Sequence, residues 1–295
     1  MRPLIVGLLS FLALGSLALW QDVHAQGLTV HEWGVWKARR NQVTHLADLA
    51  AETPRFVSRT GVAPAVVPDA ADRPIRVSYK PVLFFYTDAP QEVSVRVTFV
   101  GGRPWLYHPP ARQSGRVLSW TGTVGGPEGA MGEPPDPHWW GLLRDVGAAS
   151  FRSPDGGTER FIFYDGPVRF RRTFRFSERA GELVARPSHG ETRFWILDGN
   201  SVEERSVDRR GRSVDRNALS LDSLRTTLKQ EMLTRGLNDA EAEALLQTWD
   251  HELFRVTYRR AVYFVPRRNY DRMLPIRIQP RPDELVRVGL GIEEL

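Results

Sequence analysis

The stretch EVSVRVTF, residues 92–99, alternates apolar and polar side chains without a break. Val93, Val95, Val97 and Phe99 point to one side of an extended chain, and the residues between them point to the other. Such strict alternation predicts a β-strand with one buried and one exposed face. The fold should therefore contain a sheet that packs one face against a core.

Similar patterns recur along the whole chain. Two more alternating stretches are VRFRRTFRF (168–176) and VRVGLGI (286–292). Short continuous apolar runs predict strands that are covered on both faces; they are VLFFY (82–86), FIFY (161–164), FWIL (194–197) and AVYFV (261–265). Residues 26–295 are therefore predicted to form a single mostly β domain, an antiparallel β-sandwich-like fold.

Residues 220–254 change to a helical period. Their leucines recur at spacings of three and four, which is typical of amphipathic helices. Gly236 suits the left-handed end of a first helix, and Asn238 with Glu241 forms a capping-box pattern at the start of a second. The sequence predicts an α-helical hairpin inserted into the β domain or packed against it.

Residues 1–25 have the pattern of a signal peptide, with a basic start, an apolar stretch and a small-residue cleavage pattern. We therefore expect export to the periplasm or the extracellular space, and no transmembrane segment after cleavage. The chain contains no cysteine, which excludes disulfides and thiolate chemistry. An exported protein is not expected to meet nucleic acid.

The chain carries a formal net charge of +5, almost all of its basic residues being arginine. Arginine binds carboxylate, sulfate and phosphate through paired donors, which would suit a glycan or another cell-envelope polymer as partner. In the stretch 168–176, Arg169, Arg171 and Arg175 are predicted on one exposed sheet face. This row is either a polyanion-binding patch or an ordinary solvated face that discourages edge pairing.

The motif HEWG, residues 31–34, places two polar side chains next to each other in an apolar segment. In a strand His31 and Glu32 point to opposite faces, so they cannot form one catalytic pair without a bulge. One interpretation is structural: His31 is hydrogen-bonded and Glu32 pairs with an arginine. The alternative is a secreted hydrolase, metal-assisted or carboxylate-based, that uses Glu32, His31 and Asp136.

Two proline-stiffened loops combine aromatic and histidine side chains. PWLYHPP (104–110) contains Trp105, Tyr107 and His108, and DPHWWG (136–141) contains His138, Trp139 and Trp140. Rigid aromatic faces stack on sugars and on aromatic ligands, although the same rings can fold back as a small core. Our leading hypothesis is a non-enzymatic binding or envelope-associated protein with its ligand site on these loops.

No cofactor is predicted, because the histidines lack the close spacing of common zinc motifs. A metal site assembled from distant residues would use His31, His108 and His138.

Several segments resemble one family of exported bacterial proteins that has no assigned activity. They are HEWG (31–34), KPVLFFYTD (80–88), VSVRVTF (93–99), ERFIFYDGP (159–167) and the C-terminal stretch 274–295. The chain departs from that pattern at Gly291, where the family tends to have an arginine. The resemblance implies export and one shared fold, and it implies no chemistry.

Overall fold

The protein forms three layers, described from a computed structural model that covers residues 27–39, 53–60, 76–78, 81–126, 129, 131, 139–188 and 190–295. A large central sheet is covered by helices on one face and by a smaller sheet on the other. The predicted signal peptide (residues 1–25), Asp136 and His138 lie outside the described residues. Within these ranges, no helix is both long enough and apolar enough to cross a membrane.

The central sheet has eleven strands and joins the two ends of the described chain. In spatial order they are β16 (Ser213–Leu219), β15 (Ser201–Val207), β14 (Arg193–Asp198), β17 (Arg260–Val265), β19 (Glu284–Glu294), β1 (Leu28–Arg39), β4 (Val82–Thr87), β11 (Ile162–Asp165), β6 (Leu106–His108) and β2 (Ser58–Arg59), with β3 (Arg76–Ser78) also paired to β1. β1 and β19 pair in parallel, whereas their other neighbours are antiparallel.

The second sheet has six strands, and the predicted strand at 92–99 lies in it. Its order is β10 (Thr158–Glu159), β9 (Phe151–Arg152), β8 (Val117–Val124), β5 (Gln91–Thr98) and β18 (Ile276–Gln279), with β7 (Arg112–Ser114) also paired to β8. Val93, Val95 and Val97 are buried, while Arg96 is exposed. The predicted alternation is confirmed. A separate hairpin joins β12 (Phe174–Arg179) and β13 (Glu182–Pro187).

Alternation along the central strands divides the core in two. Trp33 and Val35 of β1 face the helices, and Val30 and Trp36 face the second sheet. The mostly β, sandwich-like fold is therefore confirmed. Helices add a third layer on the outer face of the large sheet.

The helical layer contains the predicted hairpin. Its helices are α1 (Trp139–Arg144), α2 (Leu221–Thr234) and α3 (Asp239–Thr248), followed by a π-helical turn at His251–Arg255. A further helix, α4 (Arg267–Met273), packs on the opposite side of the central sheet through Tyr270 and Met273. Between α2 and α3, Gly236 has φ +99°, which favours glycine. The capping box of Asn238 and Glu241 at the start of α3 is also confirmed. The hairpin packs against the large sheet through buried leucines.

β19 is buried on both faces, whereas its alternating sequence predicts one exposed face. Gly289 and Gly291 point toward the second sheet, where aromatic rings occupy the space of their missing side chains. A Cβ on Gly289 would lie 2.5 Å from the Trp36 ring, and one on Gly291 would lie 2.3 Å from the Tyr263 ring. The glycines therefore mark close packing, which period-two patterning alone does not distinguish from exposure.

The strand predicted at 168–176 is shorter than expected and begins only at Phe174. Before it, the backbone N–H of Arg169 donates to the carbonyl of Val100 at 2.7 Å, outside any named strand. Arg169 and Arg171 thus lie in a connecting segment, and only Arg175 belongs to β12. The prediction that the three arginines share one sheet face is wrong for this reason, although all three are exposed.

Candidate functional site

The carboxylate of Glu32 is fully buried on the side of β1 that faces the second sheet. The Nε of Arg287 donates to its Oε2 at 2.6 Å, and the Nη2 donates to its Oε1 at 3.0 Å. The hydroxyls of Tyr270, at 2.7 Å, and of Tyr164 donate to Oε1 as well. A carboxylate accepts about four hydrogen bonds, so Glu32 is saturated. Because the side chain is also 0% exposed, a substrate cannot reach it.

The partners of Glu32 are themselves fixed. Arg287 also donates to Asp271 at 2.7 Å and to the carbonyl of Leu274 at 2.9 Å, and its guanidinium lies 4.1 Å from the centre of the Tyr270 ring. Burial, together with the charge of Glu32, raises the pKa of Tyr164 and Tyr270 well above the ordinary value, so both hydroxyls stay protonated as donors. This network joins β1, β19, β11 and α4, as the structural interpretation of Glu32 requires.

His31 lies on the opposite face of β1 and contacts the helical layer. Its Nδ1 lies 2.8 Å from the Oε2 of Glu241, whose Oε1 accepts a hydrogen bond from the Tyr86 hydroxyl at 2.9 Å. The side-chain amide of Asn238 donates to that same hydroxyl at 2.8 Å. Because a carboxylate only accepts, Nδ1 of His31 carries the proton. The network fastens the start of α3 to the central sheet.

These two networks keep His31 and Glu32 apart, as strand alternation predicts. Each residue has its own partners on its own face of the sheet, so the geometry gives no support to a hydrolase that uses them together. Asp136, the third residue of that alternative, is outside the described ranges.

A third cluster brings the two predicted aromatic loops together at the helical face. The His108 and Trp140 rings have centroids 5.5 Å apart, and Trp139 lies 5.2 Å from Trp140. Phe56 caps the cluster, 4.7 Å from His108 and 5.3 Å from Trp140. Phe56 is 44% exposed, whereas Trp140 is fully buried. We call Phe56, His108 and Trp139 the aromatic rim, because their side chains reach the surface while Trp140 supports them.

The buried carboxylate of Glu159 anchors the rim from below. It accepts hydrogen bonds from the indole N–H of Trp140 at 3.1 Å and from the Nη2 of Arg144 at 2.8 Å. The Nε2 of His108 lies 3.6 Å away, an ion-pair distance when the ring is protonated. Burial alone would raise the pKa of Glu159, but His108 and Arg144 outweigh it and lower the pKa to about 2. The carboxylate therefore stays charged and holds the indole and guanidinium in place.

The structure separates the predicted ligand-binding residues into two groups. His108, Trp139 and Trp140 meet in the rim cluster. Trp105 is only 3% exposed and belongs to the core on the helical side, so it cannot stack on a ligand. Tyr107 is half-buried and packs toward the opposite face of the sheet, since neighbouring strand residues alternate. His138 lies outside the described residues.

The described part of the chain does not bring the predicted metal-binding histidines together. Over the ranges given above, no group of three or more His, Asp or Glu side chains could hold a metal ion. His31 contacts Glu241, and His108 contacts Glu159. The two histidines share no partner among these contacts.

Comparisons of the chain with protein-family models, with curated proteins and with solved structures found no match. The resemblance to exported bacterial proteins therefore stays a prediction.

Sequence reasoning missed Phe56, Arg144 and Glu159. Phe56 lies in an irregular apolar stretch with no period, and Arg144 ends a short helix. Glu159 lies two positions before the apolar run 161–164, where a carboxylate is typical of an exposed strand end. Only the irregularity of the segment around Phe56 could have indicated a functional surface.

Proposed function

We propose that this protein is a binding protein that holds its ligand on the aromatic rim and catalyses no reaction on it. Phe56 carries the proposal. Its ring is 44% exposed and packs against His108 and Trp140, so it belongs to a cluster of rings at the surface that offers a ligand a face for stacking. The buried carboxylate of Glu159 holds Trp140 and His108 in place beneath Phe56. A surface held in place before the ligand arrives lowers the entropy that binding costs.

A glycan of the cell envelope is the ligand class we propose for the rim. The C–H faces of sugar rings stack on aromatic side chains, and the ring of His108 adds a third face beside those of Phe56 and Trp139. The export expected from residues 1–25 would bring the protein to such polymers.

Calorimetric titration of the purified protein with soluble peptidoglycan fragments tests this proposal. One lost stacking contact costs about 1 kcal/mol, so Phe56→Ala should raise the Kd about five- to tenfold. Phe254→Ala is the matched control, since Phe254 is a half-buried aromatic residue of the helical layer that packs near Arg225. It should leave the Kd unchanged. The absence of binding by the unaltered protein, or an equal loss in both variants, would contradict the proposal.

A further inference from the structure

The outer face of the six-stranded sheet carries a row of arginines that the aromatic rim does not involve. Arg112 of β7 lies opposite Ser119 of β8, Ser119 lies opposite Arg96 of β5, and Arg96 lies opposite Arg277 of β18. Directly opposite residues of antiparallel strands point to the same side. The alternating residues of β5 and β8 are buried, so this row points to solvent, and all three arginines are exposed. We call these four residues the arginine row.

Fold stability does not explain this arrangement. Like charges directly opposite each other in a sheet are destabilising, and Arg96 faces Arg277. Among the residues whose positions are described, no carboxylate forms an ion pair with Arg96 or Arg112. Arginine on an edge strand can discourage aggregation, which would account for Arg277. β5 lies between β8 and β18, so edge protection does not account for Arg96.

Hydrogen-bonding side chains lie beside the arginine row. Thr121, Ser94 and Gln279 form the next row across β8, β5 and β18. These three residues and Arg277 line a groove of about 950 Å³, which continues along Pro280, Arg281 and Pro282. Its lining also includes the carboxylates of Glu92 and Asp283, which lie outside the arginine row. The face thus combines small polar groups with a groove open to solvent, in which three arginines (Arg267, Arg277 and Arg281) outnumber the two carboxylates.

We propose that this face binds a linear anionic polysaccharide, whose carboxylate or sulfate groups pair with the arginine row and whose hydroxyls meet the polar row. Arginine pairs with such anions through two parallel N–H donors. The two polar rows present no aromatic ring on which nucleic acid bases could stack. The proposal does not depend on the aromatic rim, which lies on the helical face of the other sheet.

Binding of polygalacturonate by the full chain tests the proposal, with neutral dextran as the control polymer. We expect binding that weakens as salt is added, because added ions screen the charges. Arg96→Gln combined with Arg112→Gln should raise the Kd at least about tenfold. The matched control is Arg209→Gln combined with Arg210→Gln, which removes the same charge from an exposed turn after β15. This control should change the Kd less than about twofold.

Any of the following three results would overturn the proposal. Equal losses in the two double variants would show that net charge alone drives binding. Tighter binding of double-stranded DNA than of polygalacturonate would assign the face to another polymer. No binding by the unaltered protein, or equal binding of dextran, would remove the site altogether. Circular dichroism and thermal unfolding of each variant establish that a lost interaction does not reflect a lost fold.

Discussion

Glu32 and Glu159 are both fully buried carboxylates bound by an arginine, but their surroundings differ. Glu32 lies between two sheets, and its partners Arg287, Tyr164 and Tyr270 are buried as well. Glu159 lies beneath a surface, and its partner Trp140 contacts all three residues of the rim above it. The same chemistry therefore fastens the layers in one region and supports an exposed surface in the other. Location, and not residue type, separates a carboxylate that joins the layers from one that supports a surface.

The largest effect is expected at Glu32. Removing one partner of a buried ion pair leaves the other charge uncompensated, so Glu32→Ala should lower the free energy of unfolding by about 3 to 5 kcal/mol. Urea denaturation followed by circular dichroism measures it. Glu32→Leu combined with Arg287→Met is the control, because it removes both charges and should recover much of the loss. A variant Glu32→Ala of unchanged stability would end the structural interpretation.

The contribution of Glu159 to the free energy of unfolding should depend on pH. The pKa of Glu159 is about 2 in the folded protein and 4.5 in the unfolded chain, so the charged carboxylate stabilises the fold. That stabilisation is fully present above pH 4.5 and is lost as the pH falls toward 2. It amounts to about 3 kcal/mol by linkage.

Denaturation of the unaltered protein and of Glu159→Gln across that range isolates this contribution from the other carboxylates. The difference in stability between the two proteins should shrink steadily below pH 4.5. A constant difference would mean that Glu159 is not held charged by His108 and Arg144.

Removing one hydrogen-bond donor from Glu32 and one from Glu159 compares the roles of the two carboxylates more finely. Tyr270→Phe deletes one hydrogen bond to Glu32, and Trp140→Phe deletes the one from the indole to Glu159. Hydrogen bonds to charged groups contribute about 1.5 to 3 kcal/mol each, so both variants should unfold more easily in urea. Only Trp140→Phe should also weaken ligand binding, because only Trp140 supports the rim. Weaker binding in Tyr270→Phe would erase the distinction.

Phe56→Ala should have the smallest effect on stability. The ring is 44% exposed, so its removal should cost less than about 1 kcal/mol in thermal unfolding. A much larger loss of stability would mean that Phe56 is a core residue that happens to reach the surface. The proposal of a ligand site on the rim would then lose its main support.

Local patterns predicted much of the architecture. Alternation at 92–99 located β5, and the helical period with its capping box located α2 and α3. The same alternation placed His31 and Glu32 on opposite faces of β1. These features depend on residues that are close in sequence, which is why the sequence alone was sufficient.

Pairings between distant parts of the chain could not be predicted, because they depend on residues that are far apart in sequence. Glu32 and Arg287 are separated by 255 positions, and no periodicity indicates which strand will lie beside β1. The glycines of β19 resembled an exposed face, because patterning does not show that Trp36 and Tyr263 fill the space above them. The rim was only half predicted: both aromatic loops were found, but Phe56 and Glu159 come from segments that carry no such signal.

The most direct test compares Glu32→Gln and Glu159→Gln in two assays on the same preparations, urea unfolding and titration with peptidoglycan fragments well below the unfolding temperature. Both changes keep the side-chain shape and remove the charge. The predicted result is that Glu32→Gln loses stability but binds with an unchanged Kd, whereas Glu159→Gln binds several-fold more weakly. Lost binding in folded Glu32→Gln, together with unchanged binding in Glu159→Gln, would contradict the assignment of one carboxylate to the fold and the other to the site.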